Sequence, residues 1–297
     1  STMLSLSRAM RSLAQRSRPR QLTASGALLQ RQCSHWINRS RRSFSTIEST
    51  PASSESPTAA SGSLPTRNPL LDVDLSELGV TIVRDRYSAR KALAKLMEVP
   101  KDRHHACDTE VTGIDLSKQS PVGNGVVTCA SIYCGPDVDF GSGPCLWIDN
   151  LDSAEGVLDI FADYFNDSSI KKVWHNYSFD RHVLYNHGID CQGFAGDTMH
   201  MGRLWDTARA GRGGYSLEAL SNALLDHPKT SMKAIFGRKH IKKDGTEGKL
   251  TVMPGVLELQ REEETRDAWI HYSALDAKST WEVQDLSVIV VSLSICF

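Results

Sequence analysis

Three separated stretches carry residues able to act at one point. "CDTEV" sets Asp108 and Glu110 two apart, "HNYSFDRHVL" holds Asn176, Phe179 and Asp180, and "HYSALDAKST" sets Tyr272 four residues before Asp276. Residues two apart on a strand emerge on one face, and residues four apart share a helix face. Each stretch also has an ordinary reading. Asp108 and Glu110 suit an edge strand facing water, Asp180 suits helix capping, and Tyr272 with Asp276 suits a buried ring beside a solvated charge. Taken together, four acids on one face would repel by several kcal/mol unless divalent cations held them. An all-oxygen set without His or Cys fits Mg2+ or Mn2+ and not zinc. Two such ions about 4 Å apart form a clamp for phosphodiester hydrolysis.

The elements that would position these residues can be read from periodicity. "VTIVRDRYSARKALAKLMEV" predicts a strand, then a helix with Ala92, Leu93, Leu96 and Met97 at helical spacing. "HHACDTEV", "GVVTCASIYCG" and "GPCLWIDN" read as three strands joined by turns, which predicts antiparallel pairing. Helices and strands then alternate. "SAEGVLDIFADYFND" predicts a helix, "KKVWHN" a strand, "SFDRHVLYNHG" a helix stopped by Gly188, and "FAGDTMHMGRLW" a strand running into a helix. "YSLEALSNALL" is a short amphipathic helix, "KAIFGRKHIKKDGTEGKL" an exposed loop or hairpin, and "LELQREEETRDAWIHYSALDAKSTWEVQDL" one long helix. The expected fold is α/β, a mixed sheet of three antiparallel strands followed by parallel ones, with helices on its faces. Asn176, Phe179 and Asp180 then fall at the C-terminal end of a strand, where open α/β sheets bind ligands. The amide suits a sugar or phosphate, and the ring suits a base.

Of the 297 residues, 40% are apolar, enough for one domain of about 200 residues plus a tail. A net charge of −1 hides nine arginines within residues 1–47, where no lysine or acid occurs. With Leu4, Leu6, Met10 and Leu13 spaced along it, residues 1–48 read as an organellar transit peptide; a basic nucleic-acid-binding arm is the competing reading. Residues 49–75 read as a disordered Pro/Ser linker, 76–286 as the folded domain and 287–297 as an apolar tail. Seven cysteines without a C-x-x-C pair suit buried positions in a reducing compartment, and no apolar run reaches the roughly 18 residues of a membrane span. Arg238, Lys239, Lys242, Lys243 and Lys249 form a basic segment, either a solvated face or a phosphate track.

Asp-x-Glu, Asn-x-x-Phe-Asp and Tyr-x-x-x-Asp, in that order from about Val80 to Glu282, resemble the three motifs of the DEDDy 3′-to-5′ exonucleases. These include the proofreading domains of family A DNA polymerases and the RNase D group. "HACDTEV", "GDTMHMGRLWD", "GYSLEAL" and "AWIHYSALDAKSTWE" are similar to the exonuclease domain of plant organellar DNA polymerases, which carry transit peptides to mitochondria or chloroplasts. The resemblance implies an RNase H-like sheet, two Mg2+ or Mn2+ ions, and a single-stranded or frayed DNA 3′ end as partner, with RNA as an alternative. It implies that Asp108, Glu110 and Asp276 hold one ion, that Asp108 bridges to a second, and that Asp180 positions the second ion's hydration shell. Tyr272 would aim the attacking water, and Asn176 and Phe179 would contact terminal nucleotides. Asp197 of "GDTMHM" reads as structural. The family's polymerase domain is not expected in this chain, which continues after "STWEV" into "QDLSVIVVSLSICF". A non-catalytic nucleic-acid-binding product is the reading from another class.

Overall fold

The computed structural model describes residues 68–211 and 213–295, with side chains through Leu286. The transit-peptide reading and residues 49–67 of the linker lie outside them. Order begins earlier than the composition suggested, because Asn68 donates from its side chain to the carbonyls of Ala234 and Ile235, both at 2.8 Å. A 3-10 turn at Pro69–Leu71 and helix α1 (Leu75–Leu78) follow, and Leu71, Val73 and Leu75 pack on a core. Residues 68–75 are therefore folded, not linker.

Strand β1 (Val80–Val83) leads into α2 (Arg86–Glu98), whose first turn is closed by a capping box between Asp85 and Ser88. The meander is β2 (His105–Thr112), β3 (Val126–Tyr133) and β4 (Cys145–Asp149), antiparallel as the turn residues predict. Then come α3 (Ala162–Asn166), β5 (Lys172–Trp174), α4 (Tyr177–Asn186), β6 (Phe194–Asp197) and α5 (Thr198–Trp205). The sheet order is β1-β4-β3-β2-β5-β6; β5 and β6 extend it in parallel from β2, and β1 runs parallel to β4. Strand β2 is thus central, and the edge-strand reading of Asp108 and Glu110 fails. At the far edge, Gly79 and Gly143 take φ of +66° and +138°, and a Cβ on Gly143 would lie 2.5 Å from the Gly79 Cα. Only glycine lets the two backbones approach there.

The remaining helices are α6 (Leu217–Leu224), α7 (Met232–Phe236), α8 (Val256–Arg261) and α9 (Glu263–Ile295), with a separate hairpin of β7 (Arg238–Ile241) and β8 (Glu247–Val252) before α8. Both faces of the six-stranded sheet are covered, and the strand residues alternate between them. Cys107, Ala130, Ile132, Leu146 and Ile148 join one core with Leu96 of α2, Phe165 of α3 and Val183 of α4. Cys129, Tyr133, Cys145 and Trp147 join another with Leu259 of α8 and Trp269, Ala274 and Ala277 of α9. Each large side chain so buried contributes about 1.5–3 kcal/mol. The Trp147 indole donates to the Ser273 hydroxyl at 2.8 Å, which fixes α9 against β4.

Two expected helices are interrupted. The run from Asp152 to Asn166 is two 3-10 turns and the short α3, because Gly156 takes φ +79° and the Asn150 side chain accepts from the backbones of Gly156 and Leu158. The long C-terminal helix is split at Glu262, which is extended, and the Thr265 hydroxyl donates to the Leu259 carbonyl left free by the break. Helix α9 runs unbroken through residues 287–295 of the apolar tail. Among the described residues, no helix is long and apolar enough to cross a membrane.

Candidate active site

Alternation along β2 sends Asp108 and Glu110 to the face that α9 covers, and α9 presents Trp269, Tyr272, Ser273 and Asp276 on its sheet-facing side. One carboxylate oxygen each from Asp108, Glu110 and Asp276 lies within 4.8 Å of the other two. The sequence-predicted trio therefore converges. Burial, then the neighbouring charges of Asp276, Glu110 and Asp180, push the Asp108 carboxyl well above the ordinary range. Glu110 is raised by burial and then by Asp276, and Asp276 is raised by burial against the opposing pull of Lys229. Three crowded carboxylates with raised affinity for protons, and no nitrogen or sulfur donor among them, fit a hard divalent cation.

Asp180 reaches the cluster differently. Helix α4 begins at the end of β5, and Asp180 in its first turn is buried with Oδ1 accepting a 2.7 Å hydrogen bond from the Thr109 hydroxyl. Thr109 lies between Asp108 and Glu110 in sequence but faces away from them, so Asp180 approaches from the opposite side of β2. Its charge still acts on both Asp108 and Glu110. Burial raises the Asp180 carboxyl, and the Thr109 bond works against that rise.

The turn that delivers α4 is held by Asp197, whose carboxylate accepts from the backbones of Asn176, Tyr177 and Met199 at 2.9–3.1 Å. These bonds keep Asn176 at φ +69° and cap α5, which makes Asp197 structural as expected. Asn176 and Phe179 are half-buried, Phe179 against the core below α4.

Tyr272 stacks on Trp269, with ring centroids 6.2 Å apart, and meets Phe236 edge-on at 6.0 Å. Burial, then the charges of Asp276, Glu110 and Asp108, keep its phenol protonated far above neutral pH. Sequence reasoning missed one participant, Lys229. Its ammonium is 2.5 Å from Asp276 Oδ1 and 3.4 Å from the centre of the Tyr272 ring. The only sequence signal is a lysine between two helices, with its partner on another helix far along the chain.

The basic segment forms the exposed β7–β8 hairpin. The Arg238 guanidinium forks between Glu258 at 2.5 Å and Glu262 at 2.8 Å. Five cysteines, Cys107, Cys129, Cys134, Cys145 and Cys191, are buried free thiols.

A family model described as 3′-5′ exonuclease matches residues 80–286. The chain belongs to this family of 3′-5′ exonucleases. It is 50% identical over 220 residues to DNA polymerase I A, chloroplastic/mitochondrial, of Arabidopsis thaliana, a match covering 69% of this chain and 21% of that protein. It is 49% identical, with the same coverage, to DNA polymerase I B, mitochondrial, of Oryza sativa subsp. japonica. The chain thus spans about a fifth of the length of these curated relatives. Among solved structures, the Trypanosoma brucei RNase D: GMP complex matches with a TM-score of 0.50 at 12% identity, covering 71% of this chain and 57% of that one. That likeness concerns the fold, an RNase H-like mixed sheet, and not the substrate.

Proposed function

We propose that this exonuclease domain removes nucleotides from the 3′ end of DNA in a reaction that depends on Mg2+ or Mn2+. The observation that carries the reading is the convergence of Asp108, Glu110 and Asp276 oxygens within 4.8 Å, in a chain of this family. Asp108, Glu110 and Asp276 would hold one ion, and Asp108 would help hold a second, whose hydration shell Asp180 would position. Ions bound there supply positive charge to the phosphate being cleaved and lower the pKa of water. The chain's own groups do the rest. The protonated Tyr272 hydroxyl orients the attacking water by a hydrogen bond, and Asn176 and Phe179 place the terminal nucleotide beside the carboxylates. Lys239, Lys242, Lys243 and Lys249, all exposed, neutralise backbone phosphates further along the strand.

DNA is preferred to RNA as the substrate because the relatives at 49–50% identity are DNA polymerases. Their chloroplastic and mitochondrial names, with the Arg-rich start, support an organellar site of action; residues 1–48 fused to a fluorescent protein should enter mitochondria or plastids, and a cytosolic signal would reject this.

The test is an exonuclease assay on the full chain with Mg2+ and equal amounts of 5′-labelled single-stranded DNA and RNA. DNA should shorten stepwise from its 3′ end. Tyr272→Phe should retain Mn2+ binding and lose about a hundredfold in kcat, the usual cost of misplacing a reactant by about 1 Å. Faster loss of RNA would move the substrate to the RNase D class. Loss of neither, by a folded chain, would reject the enzyme reading in favour of a nucleic-acid-binding role.

A further inference from the structure

Lys229 is placed by more than its one ion pair. It lies in the connection between α6 and α7, where its backbone N–H donates to Asn222 Oδ1 at 2.7 Å, so its Cα is tied to the end of α6. Its side chain is 3% exposed and runs inward to the Asp276 carboxylate. The ammonium rests on the face of Tyr272, so one cation touches both residues of the Tyr-x-x-x-Asp motif. A lysine is not buried in this way without a compensating charge. Here the compensation is the carboxylate cluster itself, since the Lys229 charge also opposes proton uptake at Asp108 and Glu110.

That position conflicts with ion binding. Asp276 Oδ1, held at 2.5 Å by an ammonium, lies inside the group of donors that an ion would use. An ammonium and a divalent ion so close would repel strongly in a low-dielectric site. The four-carbon stem offers a way out, because lysine is a flexible tether where arginine is a planar fork.

We propose that Lys229 is the resident counter-ion of the metal-free carboxylate cluster, and that a divalent ion binds only as Lys229 leaves Asp276. Lys229 then acts as a built-in competitor. It keeps the acids together when no ion is present and sets the ion concentration at which the site fills. As a positioning residue it holds Asp276 and the Tyr272 ring in place until the exchange occurs. The inference rests on the exonuclease reading, because it takes the cluster to be an ion site.

Mn2+ titration of the full chain by calorimetry, without nucleic acid, tests it. Lys229→Met and Lys229→Gln, the second retaining a donor for Asp276, should each bind Mn2+ at least about tenfold more tightly than wild type, roughly 1.4 kcal/mol. In EDTA both should melt at lower temperature than wild type, with Mn2+ removing the difference. Reductive methylation read by mass spectrometry should leave wild-type Lys229 unmodified in EDTA and modified with Mn2+. Equal or weaker Mn2+ binding by both variants, or protection of Lys229 under both conditions, overturns the competition. In those outcomes the wild type still binds Mn2+ and the exonuclease reading stands. Absence of Mn2+ binding by wild type and both variants overturns both.

Discussion

The two faces of β2 make an instructive contrast. On one, His105 meets the Tyr164 hydroxyl at 3.2 Å, Cys107 lies in the core, and Thr109 donates to Asp180. On the other, Asp108 and Glu110 crowd against Asp276, with Lys229 as the opposing charge among the described residues. Both faces are packed under helices. Burial is deeper on the first face, where His105, Cys107 and Thr109 are buried while Asp108 and Glu110 are half-buried, and the matching of partners differs as well. On the first face each polar side chain has a neutral or hydrogen-bonded solution of its own, whereas on the second three negative groups share one lysine. A site left electrostatically incomplete is available to an ion, and a completed one is not.

Removing a charge from the incomplete face should have the largest effect. Asp108→Asn should keep the fold and lower exonuclease activity at least about a thousandfold, near 4 kcal/mol at 1.36 kcal/mol per tenfold. Single-turnover rates would show it, and a variant within tenfold of wild type would remove Asp108 from the chemistry. The opposite face should respond in stability instead. Burial and the charge of Lys172 hold His105 down to about 4, against an ordinary value of 6.5. Above pH 6.5 the ring is neutral in both folded and unfolded chains. Below it the unfolded chain takes up a proton that the folded chain refuses until about pH 4. Wild type should therefore lose on the order of 3 kcal/mol relative to His105→Gln as pH falls through that window. Urea unfolding of both in EDTA measures it, the carboxylate contributions cancelling in the difference; parallel curves would refute the assignment.

Thr109→Val removes the bond that joins the two faces through Asp180. It should cost about tenfold in activity or ion affinity, the lower end for a residue that supports a metal ligand. No change in a Mn2+ titration or in kcat would mean that Asp180 needs no such support. Replacing Lys239, Lys242 and Lys243 together with serine should leave kcat unchanged. The dependence of log binding constant on log salt for single-stranded DNA should become shallower by about 2, near 0.7 for each phosphate no longer neutralised. An unaltered slope would return the hairpin to the status of a solvated face.

Much of this arrangement was legible in the sequence because it is local. The i,i+2 and i,i+4 spacings that put Asp108 with Glu110 and Tyr272 with Asp276 on common faces follow from strand and helix geometry alone, and the antiparallel meander follows from its turns. What escaped depends on distant partners. The paired role of Lys229 requires the connection after α6 to lie over α9, which no pattern near residue 229 encodes. The ion pairs of Arg238 escaped for the same reason, since Glu258 and Glu262 come from beyond the hairpin. The broken helix at Gly156 was readable in part. The glycine was visible, but the Asn150 side chain that fixes the break acts from the preceding loop.

A divalent-ion site is proposed on the incomplete face of β2. Crystals of the full chain grown with Mn2+ and a nucleoside monophosphate test it most directly, through the anomalous signal of manganese. A peak is expected between the carboxylates of Asp108, Glu110 and Asp276, with the Lys229 ammonium displaced from Asp276. Ordered carboxylates with no manganese peak between them, and Lys229 still on Asp276, would contradict it.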